Sequence, residues 1–232
     1  MLPNILNKII IFALKIKTIF DSYRHKGLRN QLVEELRLKG ISNLEVLEAI
    51  RRVPRHLFLD NAFGEWAYKD NAFPIDCEQT ISQPYTVAMQ TSLLNIEPKN
   101  KIMEVGLGSG YQACVLHEMG AKVYSIERHK HLHDKTAKRI HEIGYGLIRT
   151  FFGDGFEGLP RFAPFDRILV TAAAPENVMK LVDQLVVGGI MVVPIGKNND
   201  QIMYRISKLE DGKIKKETFG HYKFVPMLPG TA

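Results

Sequence analysis

A short apolar run, residues 102–105, stops at Gly106-Leu107-Gly108-Ser109-Gly110 and gives way at Tyr111 to a stretch with helical spacing. Strand, glycine-rich turn and helix in that order admit few folds. The glycines let the backbone bend tightly and approach a ligand, and the helix that follows points its amino end at the same place. What comes next narrows the choice. Apolar stretches at 122–126, 147–152, 167–171, 190–194 and 202–208 read as strands, with helical patterns at 131–143 and 176–185 between them. Gly188-Gly189 is read as closing the turn after the second of these helices, and 214–226 as one more strand, antiparallel and near an edge. Alternating strands and helices predict an α/β chain: a mostly parallel, twisted, Rossmann-like sheet with helices on both faces.

The first part of the chain has a different texture. Helices are expected at 30–39 and 43–53. Ser42 and Glu45 are placed to form a capping box for the second, and Leu44, Leu47 and Ile50 its buried stripe. Pro54 ends that helix. Residues 60–83 read as irregular, and Pro84 suits the first turn of a helix running to about 94. The expected organisation is therefore an extension, 1–20, followed by a single domain, 21–232. Within that domain a helical region, 21–95, precedes an α/β core, 96–232. The extension places Ile5, Ile9, Phe12, Ile16 and Ile19 on one helical face beside Lys8, Lys15 and Lys17, which predicts an amphipathic helix. Its longest apolar run, 9–14, is too short to span a bilayer, and no small-residue cleavage site follows it.

The formal net charge of +6 is modest and partly local to the extension, so nucleic acid is not an expected partner. The two cysteines, Cys77 and Cys114, form neither a metal pair nor a disulfide framework. A cytoplasmic, monomeric protein without a metal is the expectation. His129, His131 and His133 alternate near a helix start and read as a solvated face, Cys114 as core, and Trp66 as packing.

A dinucleotide-binding GxGxxG turn would need glycine or alanine at 111, where this chain has Tyr111. Glu104 followed by Gly106, Gly108 and Gly110 is instead the GxGxG form found in S-adenosylmethionine enzymes. That cofactor brings a zwitterionic methionine tail and no phosphate to the loop. Glu127 closes the next strand, 21 residues after Gly106, where an acid accepts from ribose hydroxyls in folds of this kind. Asp154, in Gly153-Asp154-Gly155, follows the third strand and is expected at the adenine amino group.

Beyond these features the chain resembles the protein-L-isoaspartate O-methyltransferases from about residue 21 to 229. The resemblance rests on Arg52-Val53-Pro54-Arg55, Gln79-Thr80-Ile81-Ser82-Gln83-Pro84-Tyr85, 104–112, Gly153-Asp154-Gly155, Ala163-Pro164-Phe165-Asp166-Arg167-Ile168, Thr171-Ala172-Ala173-Ala174-Pro175 and Phe224-Val225-Pro226. It implies methyl transfer from S-adenosylmethionine to the free carboxylate of L-isoaspartyl residues, with D-aspartyl residues as further substrates, in damaged proteins that are then repaired through a succinimide. It also points to Ser82 as the active-site residue, with Thr80, Ile81, Tyr85 and Val225 at the substrate. Glu127 is implied at ribose, and Asp154 with Gly155 at adenine. The chain departs from the family at Glu78, where glycine is usual, with Asp76 and Cys77 ahead of it. Because a carboxylate acceptor is already ionised at neutral pH, no general base is needed, and Ser82 is expected to orient the acceptor by a hydrogen bond. The helix end at Pro84 is expected to share that task. Two rivals follow from the same residues: a methyltransferase with another acceptor, and a non-catalytic module that keeps the cofactor. Turnover separates the second from an enzyme.

Overall fold

The computed structural model describes residues 21–60, 63–64, 66–197 and 200–232, so the expected amphipathic extension 1–20 lies outside the described residues. Two helices come first, α1 (Tyr23–Leu38) and α2 (Leu44–Arg52), then a 3-10 turn, Arg55–Phe58. A two-residue strand, β1 (Phe73–Pro74), pairs antiparallel with β2 (Thr80–Ile81), and α3 (Pro84–Leu93) follows. The rest builds one sheet: β3 (Lys101–Val105), α4 (Tyr111–Glu118), β4 (Lys122–Glu127), α5 (Lys130–Glu142), β5 (Arg149–Phe152), β6 (Phe165–Val170), α6 (Met179–Val182), β7 (Leu185–Lys197), β8 (Asp200–Lys208) and β9 (Ile214–Tyr222).

The sheet has seven strands in the order β5-β4-β3-β6-β7-β8-β9. Pairings from β5 across to β7 are parallel, and β7–β8 and β8–β9 are antiparallel, which places the expected antiparallel strand at the edge. Strand order reverses at β3, where the chain goes out to β5 and returns to the other side as β6. A crevice opens beyond the strand ends at such a reversal.

The alternation of side chains along each strand sorts the core into two layers. Ile102, Val123, Leu169, Val192 and Met203 face the helical layer, packed with Leu32, Leu36, Ile50, Val87 and Val115. Met103, Val105, Ile168, Val170, Met191 and Val193 face the opposite way, against Leu181 and Val182 of α6 and the loop residue Leu159. Among the described residues no helix is long and apolar enough to cross a membrane.

Several local expectations differ from the structure. Helix α1 starts at Tyr23, not near residue 30; Gly27, which interrupts the apolar pattern, sits in open space and is tolerated. Asn43, not Ser42, caps α2: its Oδ1 accepts from the N–H groups of Glu45 and Val46, both at 3.1 Å. That one-residue shift turns Leu44 outward, 73% exposed, and brings Val46, Leu47, Ala49 and Ile50 inward. The helix expected over 176–185 is only the four-residue α6. Leu185, expected as its last residue, instead begins β7 opposite Phe165, and that strand carries Val186, Val187 and the expected turn glycines Gly188 and Gly189 within it. Trp66 is 57% exposed instead of packed.

Candidate active site

Two cavities open at the carboxyl end of the sheet. The first, of ≈ 780 Å³ counted out to its mouth, lies over the reversal point. Its walls come from the ends of β3 and β4 (Val105, Glu127), the glycine turn, Thr171 after β6, and Gly155. The second, of ≈ 1410 Å³, is a cleft between α3 (Tyr85, Thr86, Met89) and β9 (Phe219, Tyr222). Four residues, Thr80, Ser82, Thr171 and Val225, line both.

The glycine turn has the tight geometry the sequence demands. Gly106 has φ +102°, and a Cβ there would lie 2.4 Å from Thr171 Oγ1. That hydroxyl lies 3.0 Å from the carbonyl of Val105 and 2.9 Å from that of Gly106, so it ties the turn to the end of β6. Gly110, at φ +85°, is hemmed in at 2.8 Å by Ile140 and Thr136 of α5. Thr136 Oγ1 also donates to the Gly108 carbonyl at 2.7 Å. The turn is therefore clamped from two elements. Gly110 itself lies outside the cavity wall, whereas Gly106 and Gly108 form part of it.

Glu127 is buried at the end of β4 and reaches the cavity. Its Oε2 accepts from the Gly108 N–H at 2.9 Å and its Oε1 from the His129 N–H at 3.0 Å. Each oxygen keeps a further lone pair, so the carboxylate is held in place and still able to accept two hydroxyls. Glu104 does not reach the wall. It is fully buried under the turn, bonded to the Ser125 hydroxyl through Oε2, and Oε1 has no partner. Burial, with the Glu127 charge adding to it, pushes its carboxyl up to about 8, so the group is neutral at pH 7.

Asp154 also stands off the first cavity. Its Oδ1 accepts from Phe156 N–H at 2.8 Å and its Oδ2 from Gly230 N–H at 2.7 Å. The carboxylate thus holds the last residues of the chain, which also bond to the Arg128 carbonyl and the Lys130 N–H, each at 2.8 Å. Met227 and Leu228 of that segment line the cavity beside Gly155. A Cβ at Gly155 would lie 2.6 Å from Val105 Cγ1, so only glycine fits against the sheet there.

On the substrate side, the hairpin β1–β2 lies over the glycine turn, with Ile75 3.8 Å from where a Gly108 Cβ would be. Asp76 binds Lys135 of α5 at 2.6 Å and faces His131 at 3.5 Å, which fastens the hairpin down. At its tip Cys77 and Glu78 have φ of +58° and +57°. Two successive left-handed residues make the turn that a tight hairpin favours, and glycine is the residue that adopts it without strain. The departure at Glu78 therefore falls where glycine has a physical reason to be. The hairpin delivers Thr80, Ile81 and Ser82 to the junction of the cavities. Ile81 is buried and anchors the strand. Among the described residues the Ser82 hydroxyl has no hydrogen-bond partner. Tyr85 faces the second cavity only. Val225 is held beside the sheet by Ala173 N–H, which donates to its carbonyl at 2.8 Å.

Sequence reasoning thus brings Gly106, Gly108, Glu127, Gly155, Thr80, Ile81, Ser82 and Val225 to the first cavity, with Glu104, Gly110, Asp154 and Tyr85 around it. It missed Thr171, Met227 and Leu228. Thr171 opens the Thr-Ala-Ala-Ala-Pro string, but nothing local marks its hydroxyl as a tie to a turn 65 residues away. The wall suits S-adenosylmethionine: glycines that only a close ligand or tight packing requires, a fixed carboxylate for ribose hydroxyls, and apolar Ile126, Leu107 and Met227 for a flat base.

A parallel sheet reversing over a glycine-lined cavity, with a second cleft meeting it, defines a methyltransferase that draws its methyl group from S-adenosylmethionine. Residues 27–232 match the family model for protein-L-isoaspartate(D-aspartate) O-methyltransferase, and the chain belongs to that family. A Cytophaga hutchinsonii protein-L-isoaspartate O-methyltransferase is 55% identical over 208 residues, 90% of this chain and 94% of its own. That of Flavobacterium psychrophilum is 51% identical over 90% of this chain and 97% of its own. Among solved structures, a Plasmodium falciparum protein described as a protein-L-isoaspartate O-methyltransferase in complex with S-adenosyl-L-homocysteine superposes with a TM-score of 0.76. It is 26% identical, over 86% of this chain and 98% of that one. A further protein-L-isoaspartate O-methyltransferase shares the fold, with a TM-score of 0.78 at 24% identity, over 85% of this chain and 65% of that one. The chain is an S-adenosylmethionine-dependent enzyme that methylates isoaspartyl residues.

Proposed function

We propose that methyl transfer takes place where the two cavities meet, with Ser82 orienting the acceptor carboxylate. The observation that carries this is the shared wall of Thr80, Ser82, Thr171 and Val225: a donor in the first cavity and a peptide in the second can touch only there. S-adenosylmethionine supplies an electrophilic methyl on a sulfonium. The isoaspartyl α-carboxylate is ionised at neutral pH and attacks without a base. The new C–O bond forms as the C–S bond breaks with its electron pair on sulfur. What the protein must supply is alignment, worth up to about 7–11 kcal/mol when both reactants are held in line.

Each wall has a part in this reading. Glu127 accepts from the ribose hydroxyls, and Gly106, Gly108 and Gly155 let the cofactor lie against the backbone. Asp154 acts indirectly, by holding the segment that brings Met227 and Leu228 to the adenine end. Glu104 supports the turn from below as a neutral acid. Ser82 donates its hydroxyl to the carboxylate, and Val225 offers backbone to an extended peptide, in the manner of an added strand. Residues 21–95 serve as the substrate-side region and 96–232 as the cofactor-binding core. D-aspartyl residues enter by the same route, and the methyl ester leaves through a succinimide. The acceptor is a damaged protein or peptide and not nucleic acid. We take the working form to be a monomer, in the cytoplasm.

The test is methyl transfer from labelled S-adenosylmethionine to two peptides that differ only in an isoaspartyl or a normal aspartyl linkage. Base-labile label on the isoaspartyl peptide alone is expected. Equal labelling of both peptides, or of neither despite cofactor binding, would refute the reading and leave another acceptor or a binding module.

A further inference from the structure

We propose that Asp70 is a positioning residue for the methyl acceptor. It caps α3 from a separate loop and thereby sets where the Ser82 hydroxyl stands, which rests on the reading that Ser82 orients the acceptor carboxylate. Helix α3 begins at Pro84, which has no N–H, and its capping residue Gln83 makes no side-chain cap bond. The first N–H that needs an acceptor is that of Tyr85. Asp70 Oδ1 takes it at 2.7 Å, while Oδ2 accepts from Gln83 Nε2 at 3.1 Å and from Lys39 Nζ at 2.7 Å. The Asp70 side chain is 3% exposed. A carboxylate so covered needs cations. Lys39 is one, and Arg55, fully buried, is attracted to Asp70 as well as standing over the Tyr111 ring at 4.9 Å.

Ser82 therefore lies between two fixed points. Ile81 before it is buried in the hairpin, and Gln83 after it is tied to Asp70. The arrangement also decides which group meets the acceptor. With an aspartate already on the Tyr85 N–H, the positive end of α3 is offset, which moves the anion-binding task toward the Ser82 hydroxyl.

The experiment is a double-mutant cycle on the full chain. It combines Asp70→Ala with Ser82→Ala, reading kcat/KM for an isoaspartyl peptide and the Kd for S-adenosylmethionine. Asp70→Ala alone is expected to lower kcat/KM at least tenfold while changing cofactor Kd less than twofold. In the Ser82→Ala background it is expected to cost less than about twofold further, because the group it positions is gone. Asp70→Asn, which keeps an acceptor for Tyr85 N–H and can pair with a turned-over Gln83 amide while losing only the Lys39 contact, recovers part of the loss and covers the case in which Asp70→Ala does not fold. Losses that multiply in the double variant, an equal loss of cofactor affinity, or an Asp70→Asn enzyme as impaired as Asp70→Ala would overturn the positioning role. Full activity in Ser82→Ala alone would instead overturn the role of Ser82, and the inference with it.

Discussion

Alanine at Gly106 tests the first cavity at its tightest point. The φ of +102° lies in a region that L-residues with a Cβ occupy at a cost of ~1–2 kcal/mol. The new methyl would stand 2.4 Å from Thr171 Oγ1, well inside contact distance. Thr171 cannot rotate away freely, since its hydroxyl is bonded to the carbonyls of Val105 and Gly106. Its one proton is shared between the two carbonyls, so losing that bond costs roughly 1 kcal/mol. The sum is about 2–3 kcal/mol, which for a domain of this size lowers Tm by roughly 4–12 °C. Thermal unfolding followed by circular dichroism measures it. Thr171→Ala alone loses the bond and leaves nothing to clash with, so the ~1–2 kcal/mol that separates it from Gly106→Ala with Thr171→Ala concerns φ alone. A Gly106→Ala protein that melts within 2 °C of wild type, by roughly the same scaling, would refute the reasoning, because neither the positive φ nor the close approach would then be real.

Glu127→Gln replaces one of two backbone-bonded oxygens with a donor that faces an N–H, and is expected to weaken S-adenosylmethionine binding more than about tenfold by isothermal titration, in line with an unsatisfied buried group. Glu78→Gly relieves a left-handed residue at the hairpin tip and is expected to raise stability by ~1 kcal/mol in a denaturant titration, net of the entropy gained by the unfolded chain. Glu104, with its folded-state carboxyl pushed up to about 8 from an ordinary 4.5, keeps a proton that the unfolded chain gives up. Its contribution is intact below pH 4.5 and is lost as pH rises to about 8, at a slope approaching ~1.4 kcal/mol per pH unit. Glu104→Gln is expected to flatten that slope in urea unfolding curves taken from pH 5 to 8; an unchanged slope would show that another group carries it.

The sheet was legible because its signals are local. The central strands are apolar runs, and the turn at Gly106 to Gly110 needs glycine for reasons that the neighbouring positions already imply. Glu127 was legible by its position, and Ser82 through the family resemblance. What stayed hidden is set by distant partners. Asn43 competes with Ser42 for the same helix end, and only the packing of Val46 and Ile50 against the helical layer decides between them. Leu185 fits the end of a helix as well as the start of a strand until it pairs with Phe165. Asp154 sits where an adenine contact is expected, and its oxygens also hold Phe156 and Gly230, the latter 76 residues away. No spacing rule foretells that.

The same distance in sequence explains how one reaction is divided between two layers. The core fixes the donor side through short-range geometry, with a glycine turn clamped by Thr171 and Thr136 and a carboxylate held by the backbone it faces. The acceptor side is set by a hairpin and a helix end that have little local rigidity of their own. A two-residue strand pair is marginal alone, and α3 lacks a cap from its own sequence. Both are made firm from outside, the hairpin by Asp76 on Lys135 and the helix by Asp70 on Tyr85. Because Lys135 and the clamp residue Thr136 are neighbours on α5, the helix that presses the glycine turn into shape also holds the hairpin that carries Ser82. Alignment of methyl and carboxylate therefore depends on one shared helix, and substitutions at Lys135 and Thr136 together are expected to alter donor and acceptor binding alike.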